Sequence, residues 1–145
     1  VSLESKSYVD FLKWKSYANW QIPKEPVLEV SALNPLCGDE VKLYYQDLGN
    51  KKVKVVAVSG DSCSICSAAL GFLYKNQSHF EITSFSTYLT ERKKILEGKE
   101  SSLFGDLEEL SFLEAVKSHP SRHKCALLPW QTLLKIIEVN HDPRT

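Results

Sequence analysis

The chain has 145 residues, 43% of them hydrophobic and 25% charged; it is long enough to bury a core and too apolar to be a disordered chain. Eighteen basic residues balance eighteen acidic ones, so there is no overall field to gather nucleic acid or an anionic membrane surface. The basic clusters, Lys51-Lys52 with Lys54 and Arg92-Lys93-Lys94, are short and read as solvated faces.

No run approaches the roughly 18 apolar residues of a membrane span, and the N-terminus lacks the basic-then-apolar order of a signal peptide. The expected location is therefore the cytoplasm. In a reducing compartment four cysteines point to metal binding or reactivity more than to disulfides.

Residues 3–18, LESKSYVDFLKWKSYA, place apolar side chains at helical spacing and predict an amphipathic first helix. Pro23 and Pro26 end it and open a connector. VLEVSAL, residues 27–33, alternates as a short strand. The turn Asn34-Pro35-Leu36-Cys37-Gly38-Asp39 then carries a thiol and a carboxylate two residues apart.

EVKLYYQ, residues 40–46, predicts a second strand, Asp47 to Lys52 a hairpin turn, and Val53 to Val58 a third strand. Three hairpin-linked strands imply an antiparallel meander rather than βαβ units. After the turn Ser59-Gly60-Asp61-Ser62 the apolar period changes, with Ile65, Ala68, Ala69, Phe72 and Leu73 in a helical stripe. Cys63 thus opens a helix, where unpaired backbone N–H groups and the positive end of the macrodipole suit a sulfur that attacks or ligates. Cys37 and Cys63 leave the meander at the same edge of the sheet.

The remainder predicts helices over residues 63–75, 84–97, 106–117 and 121–139. Gly98 and Gly105 bracket a polar connector, Asp106 is an N-cap candidate, and Pro129 calls for a bend or a later start in the last helix. Cys125 lies near the start of that helix. The fold class is α+β, a three-stranded antiparallel sheet packed with helices and a helical C-terminal half. Residues 1–145 are read as one domain, with 1–26 the first helix and connector, 27–59 the sheet and 63–139 the helical part.

Taken singly, Cys37, Cys63 and Cys125 each read as a small buried hydrophobe. Together with Asp39 they offer three soft ligands and one hard one, enough for a tetrahedral zinc or for an iron–sulfur cluster. Cys63-Ser64-Ile65-Cys66 is a C-x-x-C, but a zinc ribbon needs a second such pair, and a thioredoxin-type dithiol needs a βαβ context that the helical remainder does not supply. Cys66 is then a packing residue or a spare thiol. His79, His119 and His141 read as solvated; His123, two residues before Cys125, is the one histidine kept as an outer ligand or acid–base group.

Three motifs carry a resemblance: Asn34-Pro-Leu-Cys-Gly-Asp39, Gly60-Asp-Ser-Cys-Ser-Ile65 with Ser67-Ala68, and Arg122-His-Lys-Cys-Ala126 with Trp130. In order and spacing, from residue 30 to 134, the chain resembles the U-type iron–sulfur scaffold family of IscU, the N-terminal domain of NifU, and SufU. Within it the chain looks closest to the SufU branch. Lys124 stands before the last cysteine, and the long segment between Cys63 and Cys125 contains Leu103-Phe-Gly-Asp-Leu-Glu-Glu-Leu110, which resembles that branch's insertion, here about residues 84–110. His119-Pro-Ser-Arg-His-Lys124 is not the LPPVK read by the IscU chaperone, so chaperone-assisted release is not implied.

The resemblance implies a SufE/NifU-like sandwich, a three-stranded antiparallel sheet covered by helices, and a zinc held by Cys37, Asp39, Cys63 and Cys125. It implies a pyridoxal-phosphate cysteine desulfurase of the SufS type as partner, with Arg122 contacting it. Cys37 would accept persulfide sulfur and pass it to downstream iron–sulfur assembly proteins, which makes the chain a zinc-dependent sulfurtransferase. A loop thiol leaves a metal more readily than one on a helix, which favours Cys37 as acceptor. Cys66 replaces the family's usual serine. Two alternatives use the same ligands: a scaffold that transiently holds a [2Fe–2S] cluster or iron, and a purely structural zinc module that docks partners.

Overall fold

The computed structural model describes residues 27–34, 38–61, 63–76, 80–101 and 107–140. The helix expected over residues 3–18 and its connector lie outside the described residues, as do Cys37, His79, Gly105, Asp106 and His141.

Alternation builds the sheet. β1 (Leu28–Asn34) buries Val30, Ala32 and Asn34, and β2 (Asp39–Gly49) buries Asp39, Val41, Leu43 and Tyr45. Alternate residues of a strand share a face, so these side chains form one inward surface. β3 (Lys52–Asp61) pairs with it in rows that cross all three strands. Val30 lies opposite Leu43, which lies opposite Val58; Ala32 lies opposite Val41, which lies opposite Gly60. The next row toward that end brings Asn34 beside Asp39.

The β2–β3 turn is tighter than the expected Asp47–Lys52 loop. Only Asn50 and Lys51 lie between the strands, at φ 52° and 61°, the two left-handed residues of a type I′ turn whose twist matches that of the strands. The sheet also has a fourth strand where three were expected. β4 (Phe80–Glu81) pairs with the start of β3, Val53 opposite Phe80 and Lys52 opposite Glu81. Two residues are too short to show an alternation, and what seats them is tertiary: the Phe80 ring meets Tyr88 and Trp130 edge-on, with centroids 5.7 and 6.1 Å away.

Among the described residues four helices follow. α1 (Ser64–Lys75) is buried from Ile65 through Leu73. α2 (Phe85–Leu96) follows a 3₁₀ turn at Ile82–Ser84, α3 (Leu107–Lys117) comes next, and α4 (His123–Asn140) follows a 3₁₀ turn at Pro120–Arg122. α4 packs on α1, β1 and β2, α1 on β3, and α2 lies between α4 and α3. Pro129 sits inside α4 without ending it; it lacks the N–H that would reach the Cys125 carbonyl four residues back. None of the described helices is long and apolar enough to cross a membrane.

Arg92 corrects the reading of Arg92-Lys93-Lys94 as a solvated face. It is only 4% exposed. Its Nε and Nη2 donate to the two carboxylate oxygens of Glu109 at 2.7 and 2.9 Å, and Nη1 donates to the Tyr88 carbonyl at 3.0 Å. The guanidinium carbon lies 3.5 Å from the centroid of the Trp130 ring. Successive helical residues point about 100° apart, so a basic triplet cannot share one face. Arg92 falls three residues from Leu89 and from Ile95, inside the apolar stripe of α2.

Candidate metal centre

The functional question centres on the sheet end where Asn34 meets Asp39. Two glycines shape that end. Gly38 turns the chain into β2 at φ 73°, which an L side chain rarely adopts, and its N–H donates to the Asn34 carbonyl at 2.8 Å. Gly60 lets β3 press against β2, since a Cβ there would run into the Glu40 carbonyl oxygen. That close approach carries the chain from β3 directly over Asp39.

Asp39 opens β2 and is 3% exposed. Its Oδ1 accepts the backbone N–H of Cys63 at 2.8 Å, while Oδ2 faces the Cys63 sulfur at 3.6 Å. Cys63 is the N-cap of α1, with extended backbone, and its sulfur accepts the N–H of Cys66 at 3.4 Å. This is the capping arrangement usually supplied by Ser, Thr, Asp or Asn, and it bears out the placement of Cys63 at a helix start. Cys63 is half-buried. Cys125 is buried in the first turn of α4. The ligand atoms of Asp39, Cys63 and Cys125 all lie within 4.8 Å of one another.

The donor set fits a metal. Zinc binds thiolate at about 2.3 Å and carboxylate at about 2.0–2.2 Å in a tetrahedron, which puts sulfur and oxygen ligands about 3.6 Å apart, the Asp39–Cys63 separation. All three groups are anions when they ligate, so a cation would make their convergence favourable in that state. The first turns of α1 and α4 add the positive ends of two helices beside them. None of Cys63, Cys66 and Cys125 is joined in a disulfide.

The structure thus brings together three of the four residues expected as ligands. The fourth, Cys37, lies outside the described residues. Arg122 is exposed in the 3₁₀ turn that leads into α4. His123 stays out of the cluster: its Nε2 lies 3.0 Å from the Lys117 carbonyl and ties the start of α4 to the end of α3. His119 is half-buried rather than solvated.

Sequence reading missed a feature of this end. A cleft of about 260 Å³, lined by Leu33, Asn34, Lys124, Leu128 and Gln131, lies beside it. Asn34 is the cross-strand neighbour of Asp39, and Lys124 and Leu128 flank Cys125 along α4. Its available signal was Asn34, a polar residue on the inward face of β1.

An antiparallel sheet whose end, with two helix starts, gathers one carboxylate and two thiols defines an α+β protein with a candidate soft-metal site. No family model matches the chain. It is 29% identical over 102 residues to the zinc-dependent sulfurtransferase SufU of Bacillus subtilis, covering 70% of this chain and 69% of that protein. It is 25% identical over 134 residues to the iron–sulfur cluster assembly scaffold protein IscU of Thermotoga maritima, covering 92% of each. Among solved structures, a SufU from Fervidobacterium islandicum AW-1, described as an iron–sulfur cluster assembly scaffold protein for the SUF system, superposes with a TM-score of 0.68 at 28% identity, covering 90% of this chain and 93% of that one. In sequence and in fold the chain is similar to the U-type iron–sulfur assembly proteins, near SufU, as its three motifs indicate.

Proposed function

We propose that the chain serves iron–sulfur cluster assembly as a zinc-bound sulfur acceptor, taking persulfide sulfur from a SufS-like cysteine desulfurase and passing it on. The observation that carries this reading is the convergence of Asp39, Cys63 and Cys125 within 4.8 Å, in a chain similar to a zinc-dependent sulfurtransferase. Cys37, two residues before Asp39 in the same motif, completes the ligand set.

Bound zinc would hold the sulfurs as thiolates and shield them from oxidation. Cys63 and Cys125 belong to helix starts, fixed by the packing of α1 and α4, whereas the sequence reads Cys37 as part of a turn, Asn34 to Asp39. Cys37 would therefore be the ligand most readily freed to act as the acceptor. Its thiolate attacks the outer sulfur of the desulfurase persulfide, the S–S bond breaks, and the desulfurase cysteine leaves as a thiolate. Arg122, exposed one turn before Cys125, supplies a cation for docking the desulfurase.

Cys37→Ser should abolish stimulation of desulfurase turnover while leaving the circular dichroism spectrum unchanged. Stimulation at the parent level by that variant would overturn the assignment of Cys37. A second reading, a scaffold on which a [2Fe–2S] cluster is assembled and released, is favoured by the scaffold descriptions of two relatives. In it Asp39 is the oxygen ligand that keeps the cluster labile. An iron–sulfur absorption band after reconstitution, without desulfurase stimulation, would support that reading over the first.

A further inference from the structure

Cys66 takes no part in the proposed sulfur transfer, yet it lies one helical turn from a ligand. It is fully buried in α1, and its N–H is already hydrogen-bonded to the Cys63 sulfur at 3.4 Å. A helical turn rises about 5.4 Å, inside the Cα separation of roughly 4.4–6.8 Å that disulfides span. Helical side chains lean back toward the helix N-terminus, which directs Cys66 toward the turn capped by Cys63. The pair also differs in access: Cys63 is half-buried and Cys66 is enclosed. An oxidant in solution meets Cys63 first.

We propose that Cys63 and Cys66 form a redox-modification site: when Cys63 is not ligating metal, the two close to an intrachain disulfide, and the chain in that state cannot take up metal. The surrounding fold is not that of a thioredoxin, but the chemistry needs only the local arrangement. It needs a partly exposed N-cap sulfur and a sheltered thiol one turn on.

The co-reactant is a low-molecular-weight disulfide such as oxidised glutathione. The Cys63 thiolate attacks one of its sulfurs, forming a mixed disulfide and releasing one glutathione thiolate. Cys66 then loses its proton and attacks the Cys63 sulfur of the mixed disulfide, releasing the second glutathione. The net change is two protein thiols oxidised and one glutathione disulfide reduced to two thiols. Metal and disulfide compete for the same sulfur, so each state excludes the other.

The exclusion of metal rests on the proposed role of Cys63 as a ligand; formation of the disulfide does not. The test therefore has two arms on the full chain. In the first, metal-free protein is incubated with oxidised glutathione, then alkylated, digested and mapped by mass spectrometry. The expected product is a Cys63–Cys66 disulfide, with Cys66→Ser instead retaining glutathione on Cys63. A Cys66 thiol that stays alkylatable in the parent chain, or pairing of Cys63 with Cys37 or Cys125, would overturn the proposal whatever the protein's function.

In the second arm, zinc uptake by the oxidised chain is compared before and after treatment with a thiol reductant. Uptake at least about tenfold lower before reduction, and restored after it, is expected. Undiminished uptake by the oxidised chain would remove Cys63 from the ligand set and leave the first arm standing.

Discussion

Two of the buried polar clusters among the described residues are built on opposite plans. Between α2, α3 and α4, Arg92 meets Glu109 through two hydrogen bonds of 2.7 and 2.9 Å under the Trp130 ring. Each partner neutralises the other, and the bidentate geometry completes the pair. At the sheet end, Asp39, Cys63 and Cys125 are three groups of one kind, each of which turns negative when it ligates. Opposite charges close a cluster from within, whereas like groups gathered in one place call for a cation from outside. The first plan fastens helices, and the second offers a candidate metal site.

That contrast breaks most visibly at Arg92. Arg92→Ala leaves Glu109 buried without its partner and should destabilise the fold by about 3–5 kcal/mol in urea unfolding. The double variant Arg92→Met with Glu109→Leu should return to within about 2 kcal/mol of the parent, because no buried charge is stranded. Metal stoichiometry of the folded protein should not change in either. An Arg92→Ala variant that folds normally but loses metal would show that the two clusters are coupled.

At the sheet end the sign is reversed. Stripping metal with a chelator should lower stability by about 2.7 kcal/mol relative to protein at a free zinc concentration 100 times its Kd, and Cys125→Ser should lose most of that zinc dependence. The parent's zinc-dependent rise in Tm is the readout. An unaltered rise in Cys125→Ser would remove Cys125 from the ligand set.

A sharper test moves the backbone instead of a ligand. Gly60→Ala drives a methyl group against the Glu40 carbonyl and should cost about 1–3 kcal/mol, with weaker zinc binding because β3 no longer delivers Cys63 over Asp39. Equal zinc affinity in this variant would mean that the strand approach does not position the site. His123→Ala should have the smallest effect, about 1 kcal/mol for its bond to the Lys117 carbonyl, with zinc affinity unchanged. A large loss of zinc affinity would return His123 to the neighbourhood of the metal.

The site was more legible than its surroundings for a physical reason. Asp39, Cys63 and Cys125 are each marked by a local signal, a turn before a strand or the first turn of a helix, and ligand chemistry requires those few residue types. The meander was readable because alternation in β1, β2 and β3 is a local pattern. β4 carries no such pattern; it is a strand through its pairing with the start of β3 and the packing of Phe80 against Trp130 and Tyr88. Arg92 was misread because a basic triplet suggests a solvated face; its place in the α2 stripe was a local pattern, but the partner that neutralises it, Glu109, lies 17 residues away in sequence. Asn34 carried a weak signal, since its inward position follows from the register with Asp39 and not from its residue type.

The most direct measurement is cysteine desulfurase turnover with and without this protein, with the metal content determined on the same sample. Strong stimulation by protein carrying one zinc per chain is the result expected of a zinc-bound sulfur acceptor. No stimulation by the zinc-loaded protein would contradict it.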